Sequence, residues 1–413
     1  MAISQRIRNA MAGGSWIRRM FEEGIALKQQ YGEENVFDLT LGNPVVEPPV
    51  AFKEELRRWV DASEPGMHRY MPNAGYPETR AAVAQALSHE AGLDIGSDHI
   101  LMTVGAAGGL NVVLKTILNP GDEVIVWAPY FVEYLFYIDN HGGVSRVAET
   151  DEGFLPSIDA LEENLTRRTR AVIVNSPNNP TGVVYSPDLL GKMGELLSRK
   201  EGEFGSQVYL ISDEPYRKII YDGLTYPFVF HHYPRSVVVS SHSKDLAVPG
   251  ERIGYVAIGP QVEDAQDVMD GLVFCNRTLG FVNAPALMQH VVAGLQEATV
   301  DVADYQRKRD FLHTALTAMG YSVVRPQGAF YMFPRSPVPD EMDFIGELRK
   351  HNVLAVPGKG FGRNGYVRIS YCVEDRTIEG SLEGFREVAR HYGLLNRSTA
   401  TGPARRSPSA GRS

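Results

Sequence analysis

The chain predicts an α/β fold with a mostly parallel sheet covered by helices, joined to a smaller α+β unit. Three observations carry this. Apolar strand runs alternate with helical patterns through the first three quarters of the 413 residues. Those runs are continuous rather than alternating, as when helices cover both faces of a parallel sheet. After about residue 300 the pattern changes to long helices separated by short strands.

Leu110, Val113, Leu114, Ile117 and Leu118 recur at helical spacing and predict a helix over 108–118, which Asn119-Pro120-Gly121-Asp122 stops. Strands follow at 124–126 and 171–174, the second ending at Asn175-Ser176-Pro177. Ser186-Pro187 opens a helix with an N-cap and a proline at its first position. Further strands lie at 208–211, 237–239 and 255–258. In the last quarter, helices are expected near 302–319, 343–351 and 377–392. Short strands are expected near Tyr321–Val324, Ala329–Phe333, Val353–Val356 and Val367–Tyr371. The division follows: an N-terminal segment over 1–45, a large unit over 46–298 and a small one over 299–396. The tail 397–413 has four Arg, no acid and only Ala as an apolar residue, so disorder is expected there.

Composition narrows the function. Lys+Arg number 41 against 50 Asp+Glu, a net charge of −9, which argues against a nucleic-acid partner. No run of 18 apolar residues suggests a membrane span, and the N-terminus lacks the apolar stretch of a secretory signal, so a cytoplasmic enzyme is expected. Two distant cysteines, Cys275 and Cys372, make no disulfide framework, and no Cys/His cluster has metal spacing. Gly360-Phe361-Gly362-Arg363-Asn364-Gly365 fits G-x-G-x-x-G, but it leads into a strand-like run rather than a helix, so nucleotide binding is not expected.

Polar groups gather where the strands end, and ligands of open α/β sheets gather beyond carboxyl ends of strands. Asn179-Pro180-Thr181-Gly182 follows one strand, Asp213-Glu214-Pro215-Tyr216 the next, and Ser241-His242-Ser243-Lys244 the third. Lys244 comes 31 residues after Asp213 and 8 before Arg252. Alone, each has an ordinary reading: a helix cap, a turn, a solvated lysine.

Together, N-N-P-T-G, S-D-E-P-Y, S-x-S-K, G-E-R-I-G and V-R-I-S resemble the fold-type I pyridoxal 5'-phosphate (PLP) enzymes of the aspartate aminotransferase superfamily, class I/II. The resemblance runs from about Ser15 to Tyr392 and implies a seven-stranded sheet in the large unit. It implies that Lys244 condenses with the cofactor aldehyde and later moves a proton at the substrate α-carbon. Asp213 would face the pyridine nitrogen and keep it protonated, so that the ring accepts electrons. Asn179 and Tyr216 would bond the phenolic oxygen, and Phe131, after Pro129-Tyr130, would stack on the ring. Gly105, Ala106 and Ala107, just before a helix, would offer N–H groups to the phosphate. Ser241, Ser243 and the fork of Arg252 would complete that cup, with Tyr70 reaching in from a neighbouring subunit.

Arg368 would grip the substrate α-carboxylate, near the backbone of Gly42 and the side chain of Asn179. The substrates would be an L-amino acid and a 2-oxo acid such as 2-oxoglutarate, in a homodimer with shared sites. Side-chain choice is less legible. Ala107, or Gly108 if the loop is shifted, stands where some relatives place a lysine for a distal carboxylate. Arg277, before Phe281-Val282-Asn283-Ala284-Pro285, is the replacement expected, given from the partner, and makes acidic amino acids the first donors to test. Arg18 and Arg19 are rivals for that role, and Trp16 with Ile17 could instead form an apolar lid. C–S β-lyases and aminocyclopropane-carboxylate synthases share these motifs and stand as the alternative activity. A PLP-binding DNA regulator would need a further domain, for which about 40 residues before Leu41-Gly42-Asn43-Pro44 are too few.

Overall fold

A computed structural model describes residues 2–13, 16–62 and 64–395. The C-terminal tail, and the side chains of Trp16, Ile17, Arg18 and Arg19, lie outside the described residues.

Twelve strands are present among the described residues: β1 (Phe37–Asp38), β2 (Ile100–Thr103), β3 (Glu123–Ala128), β4 (Val144–Glu149), β5 (Thr169–Asn175), β6 (Tyr209–Asp213), β7 (Ser236–Ser241), β8 (Gly254–Ile258), β9 (Tyr331–Met332), β10 (Val353–Leu354), β11 (Val356–Pro357) and β12 (Val367–Ser370). Seven form the main sheet in the order β2-β8-β7-β6-β5-β3-β4. β8 runs antiparallel to both neighbours, and the other pairs are parallel. The expected α/β fold with a mostly parallel seven-stranded sheet is the fold observed.

The burial of β5 explains its unbroken apolar run. Val172 and Val174 enter one core cluster with Val83 and Leu87 of the helix Pro77–Ala91 and Met193 and Leu197 of the helix Pro187–Phe204. Ala171 and Ile173 enter the cluster on the opposite face with Leu110 and Leu114 of the helix Gly105–Ile117. Both faces are dry, so neither register position can be polar. Each such fully buried aliphatic side chain stabilises the fold by about 1.5–3 kcal/mol. Ser186 caps the helix Pro187–Phe204 by accepting from Leu189 N–H at 3.2 Å.

β1 and β10 form a parallel pair, and β11-β12-β9 form an antiparallel sheet. A third cluster packs these short strands against Leu312 and Leu316 of the helix Val302–Ala318, Phe344 of Glu341–Lys350 and Phe385 of Asp375–His391. Met20 and Leu39 join it, so the N-terminal segment lies against the C-terminal elements.

Three expectations change. Residues 321–324 form no strand, although Tyr321 is buried and bonds the Phe385 carbonyl from its hydroxyl at 2.8 Å. Gly105, Ala106 and Ala107 do not precede the helix but make its first turn. β2 and β4 had no assigned run. β4 is an edge strand with mostly exposed or half-buried residues, so it lacks the continuous apolar signal. The G-x-G-x-x-G segment begins in a short 3₁₀ turn, Gly358–Phe361, and leads into β12 rather than into a helix.

Candidate active site

The carboxyl edge of the main sheet gathers the polar groups. β3, β5, β6 and β7 end there, and so does β2, which leads directly into the helix Gly105–Ile117. Because β8 is antiparallel, its first residue lies at the same edge, which brings Arg252 beside them. A cavity of about 310 Å³ opens at this edge. Its lining includes Gly42, Ala106, Ala107, Phe131, Asn179, Asp213, Tyr216, Ser241, Ser243, Lys244, Arg252 and Arg368. The volume suits a small molecule.

Asn175 ties two strand ends together. Its Nδ2 donates to the Asp213 carbonyl at 2.9 Å, and its Oδ1 accepts from Asn179 N–H at 2.8 Å. Asp213 is the last residue of β6 and is buried. Tyr134 donates to its Oδ2, while Oδ1 has no partner among the described residues. Burial pushes the carboxyl up to about 7, and the Tyr134 bond opposes this. An unpaired buried carboxylate oxygen is costly. It is the acceptor that a protonated ring nitrogen would satisfy.

Lys244 follows β7 in the short helix His242–Asp245, and its Nζ donates to the Gly42 carbonyl at 2.8 Å. Burial lowers its pKa to about 8, and the charges of Arg368 and Arg252 act in the same direction. A neutral amine, the nucleophilic form, is therefore accessible near neutral pH.

A helix start borders the cavity at Ala106 and Ala107. The first turn of the helix Gly105–Ile117 leaves N–H groups without helical acceptors, at the positive end of the dipole. Gly105 has φ +67°, and a Cβ there would lie 2.9 Å from a terminal nitrogen of the Arg252 guanidinium, so only glycine fits. The residues present therefore fit a phosphorylated cofactor with a cationic ring nitrogen and an aldehyde.

Arg368, on β12, is 4% exposed and has no carboxylate partner among the described residues. Its guanidinium carbon lies 4.8 Å from the ring centroids of both Tyr331 and Phe361. It donates to Asn179 Oδ1 at 3.1 Å and to the Thr40 carbonyl at 2.6 Å, while Nε has no partner. A buried, oriented cation with no ion pair within 4 Å among the described residues, only the charge of Glu133 acting on it from across the cavity, calls for an anionic ligand.

Two expected residues stand elsewhere. Tyr70 is 89% exposed and borders a second groove with Phe281 and Asn283. Arg277 is exposed at the end of the helix Ala265–Thr278. Neither lines the cavity within this chain. Tyr216, expected to face the cofactor, has its hydroxyl 3.0 Å from that of Tyr331. Tyr331, Tyr134 and Glu133 were not anticipated. Tyr331 and Glu133 line the cavity, and Tyr134 lies behind Asp213. Only the short spacing of Glu133 and Tyr134 after Phe131 could have drawn attention to them.

Residues 34–385 match the family model for aminotransferases of class I and II. The chain is 36% identical over 359 residues to an aspartate/prephenate aminotransferase of Thermus thermophilus, covering 85% of this chain and 90% of that one. It is 31% identical to a probable aspartate aminotransferase of Methanocaldococcus jannaschii, covering 85% and 92%. Among solved structures, an amino transferase from Eubacterium rectale superposes with a TM-score of 0.92 at 38% identity, covering 95% of this chain and 99% of that one. An aspartate aminotransferase from Thermus thermophilus with maleate gives 0.83 at 32%, covering 94% and 99%. With a family match over residues 34–385 and relatives this similar across most of its length, the chain belongs to the class I and II aminotransferases.

Proposed function

We propose that this aminotransferase holds PLP in the cavity at the sheet edge and carries an amino group from an L-amino acid to a 2-oxo acid such as 2-oxoglutarate. The convergence of Asp213, Lys244 and Arg368 on one cavity carries this reading. When bound, the cofactor supplies an aldehyde to receive the amino group and a ring to accept electrons from the α-carbon.

The chain's own groups then have distinct tasks. The N–H groups of the first turn at Ala106 and Ala107, with Ser241, Ser243 and Arg252, hold the phosphate. Asp213 Oδ1 would accept from the ring nitrogen and Phe131 would pack against the ring. Tyr216 and the Nδ2 of Asn179 would serve as donors to the phenolic oxygen. Arg368 binds the substrate α-carboxylate as a fork, which fixes the direction of the α-proton. Lys244 Nζ moves that proton, helped by a pKa lowered to about 8.

The exposure of Tyr70 supports a homodimer in which it completes the neighbour's phosphate site. Arg277 would serve the neighbour in the same way, reading an acidic side chain. Names of relatives support aspartate as one donor. The division at about residues 45 and 298 is proposed to separate the cofactor-holding part from the part bearing Arg368.

Lys244→Ala tests the assignment. Retention of cofactor with turnover lowered at least about 10⁴-fold is expected, because one group serves as nucleophile and proton carrier. Unchanged turnover would remove Lys244 from the reaction.

A further inference from the structure

Glu133 opens the helix Glu133–Asn140, two residues beyond Phe131, and its side chain lines the same cavity as Lys244 and Arg368. Its Oε2 is buried with no partner among the described residues. Burial raises its pKa, while its own backbone N–H and the charge of Arg368 act against the rise. An acid at a helix start needs no ligand to be tolerated, since the dipole favours it there. That position on a helix would be served equally well by a side chain turned to solvent. Here Glu133 instead lines the cavity, with Oε2 shielded from solvent.

The other charged groups of the lining already have work. Arg252 stands at the phosphate end, Lys244 at the reacting centre, Arg368 at the α-carboxylate and Asp213 at the ring nitrogen. Glu133 is the charged lining residue that remains, and it is an acceptor where an acid-reading site would want a donor. A transaminase admits two different side chains in turn. One reader for an acidic chain leaves the second chain unread.

We propose that Glu133 determines specificity for a second donor class: its carboxylate accepts a hydrogen bond from an amino acid side chain that ends in an amine, guanidinium or amide. The proposal rests on the aminotransferase reading above and names a substrate class for that site. The bond is charge-assisted and partly shielded from water, so its loss should be felt strongly.

The test uses the PLP-loaded protein, Glu133→Gln and Glu133→Asp. Equilibrium binding of α-methyl-lysine, α-methyl-leucine and α-methyl-aspartate, which cannot lose an α-proton, is read from the change in absorbance. Single-turnover rates are then measured with Lys, Gln, Leu and Asp. In Glu133→Gln, lysine affinity and rate should fall about 10- to 100-fold relative to leucine. Glu133→Asp should fall between the two, and the leucine values and cofactor loading should hold. An unchanged lysine-to-leucine ratio overturns the proposal. So does a selective loss of aspartate, which would tie Glu133 to the site for acidic chains instead. If the wild-type protein converts no amino acid at all, the aminotransferase reading itself fails and takes this inference with it. Conversion of aspartate or leucine with an unmoved ratio removes Glu133 alone.

Discussion

Tyr134 donates its hydroxyl to one oxygen of Asp213 and leaves the other oxygen buried and unpaired. The pair is a half-satisfied acceptor, with the acid pushed up to about 7 chiefly by burial. A raised acid favours the folded state while it is protonated. Its contribution is therefore complete below the ordinary value of 3.8 and is lost as pH rises through about 7. Without cofactor, Asp213→Asn should gain stability over wild type across that window, by at most about 1.4 kcal/mol per pH unit. Glu214 shifts in the same direction, so the difference between the two proteins is the useful quantity. Urea unfolding at several pH values measures it. A difference independent of pH contradicts the assigned environment.

Lys244 gives a second pH signature. With its pKa lowered to about 8, the rate at which the cofactor-free protein takes up PLP should climb through that pH and then level off. Stopped-flow absorbance follows the uptake. A rise that continues to the pH of an ordinary lysine would mean that the amine is not desolvated.

Gly42 has little room. A Cβ there would sit 1.9 Å from the Tyr331 hydroxyl oxygen, and the Gly42 carbonyl accepts from Lys244. Gly42→Ala should displace Tyr331 or the loop and raise the KM for amino acids at least about tenfold. Cofactor loading, set by residues of the main sheet, should change little. Equal losses in loading and KM would place the damage in the fold rather than at the substrate end.

Arg368 is gripped between Tyr331 and Phe361 and aimed by Asn179 and Thr40. A lysine keeps the charge but loses the fork and the stacking. Arg368→Lys should lower kcat/KM by about 10²-fold, equivalent to about 2.7 kcal/mol. The effect should appear for every amino acid, because all carry the α-carboxylate. A loss confined to acidic substrates would make Arg368 a side-chain reader.

The sheet and the ends of its strands were legible because two physical constraints write directly into sequence. Residues such as Val172 and Ile173 face opposite dry layers, so a buried parallel strand must be apolar without interruption. Asp213, Lys244 and Arg252 stand where those runs stop, since the sheet delivers chemistry at that edge. Less could be read where contacts are made across distance. Tyr331 meets Arg368, Gly42 and Tyr216 only after three remote segments converge. Glu133 looks like any acid opening a helix until its surroundings are known. β4 mixes polar with apolar residues because it lies at a wet edge of the sheet, and residues 321–324 carry Val323 and Val324 but form no strand. The partner-subunit roles of Tyr70 and Arg277 stay proposals, since neither residue lines this chain's own cavity.

The central claim is amino-group transfer at the cavity shared by Asp213, Lys244 and Arg368. The direct measurement is absorbance of the purified PLP-loaded protein, mixed with a panel of L-amino acids and no acceptor. The account predicts that a donor converts the yellow band to the near-ultraviolet absorbance of the aminated cofactor, and that adding a 2-oxo acid restores the yellow. A yellow band that persists while ammonia and pyruvate accumulate would contradict it and assign elimination to the site.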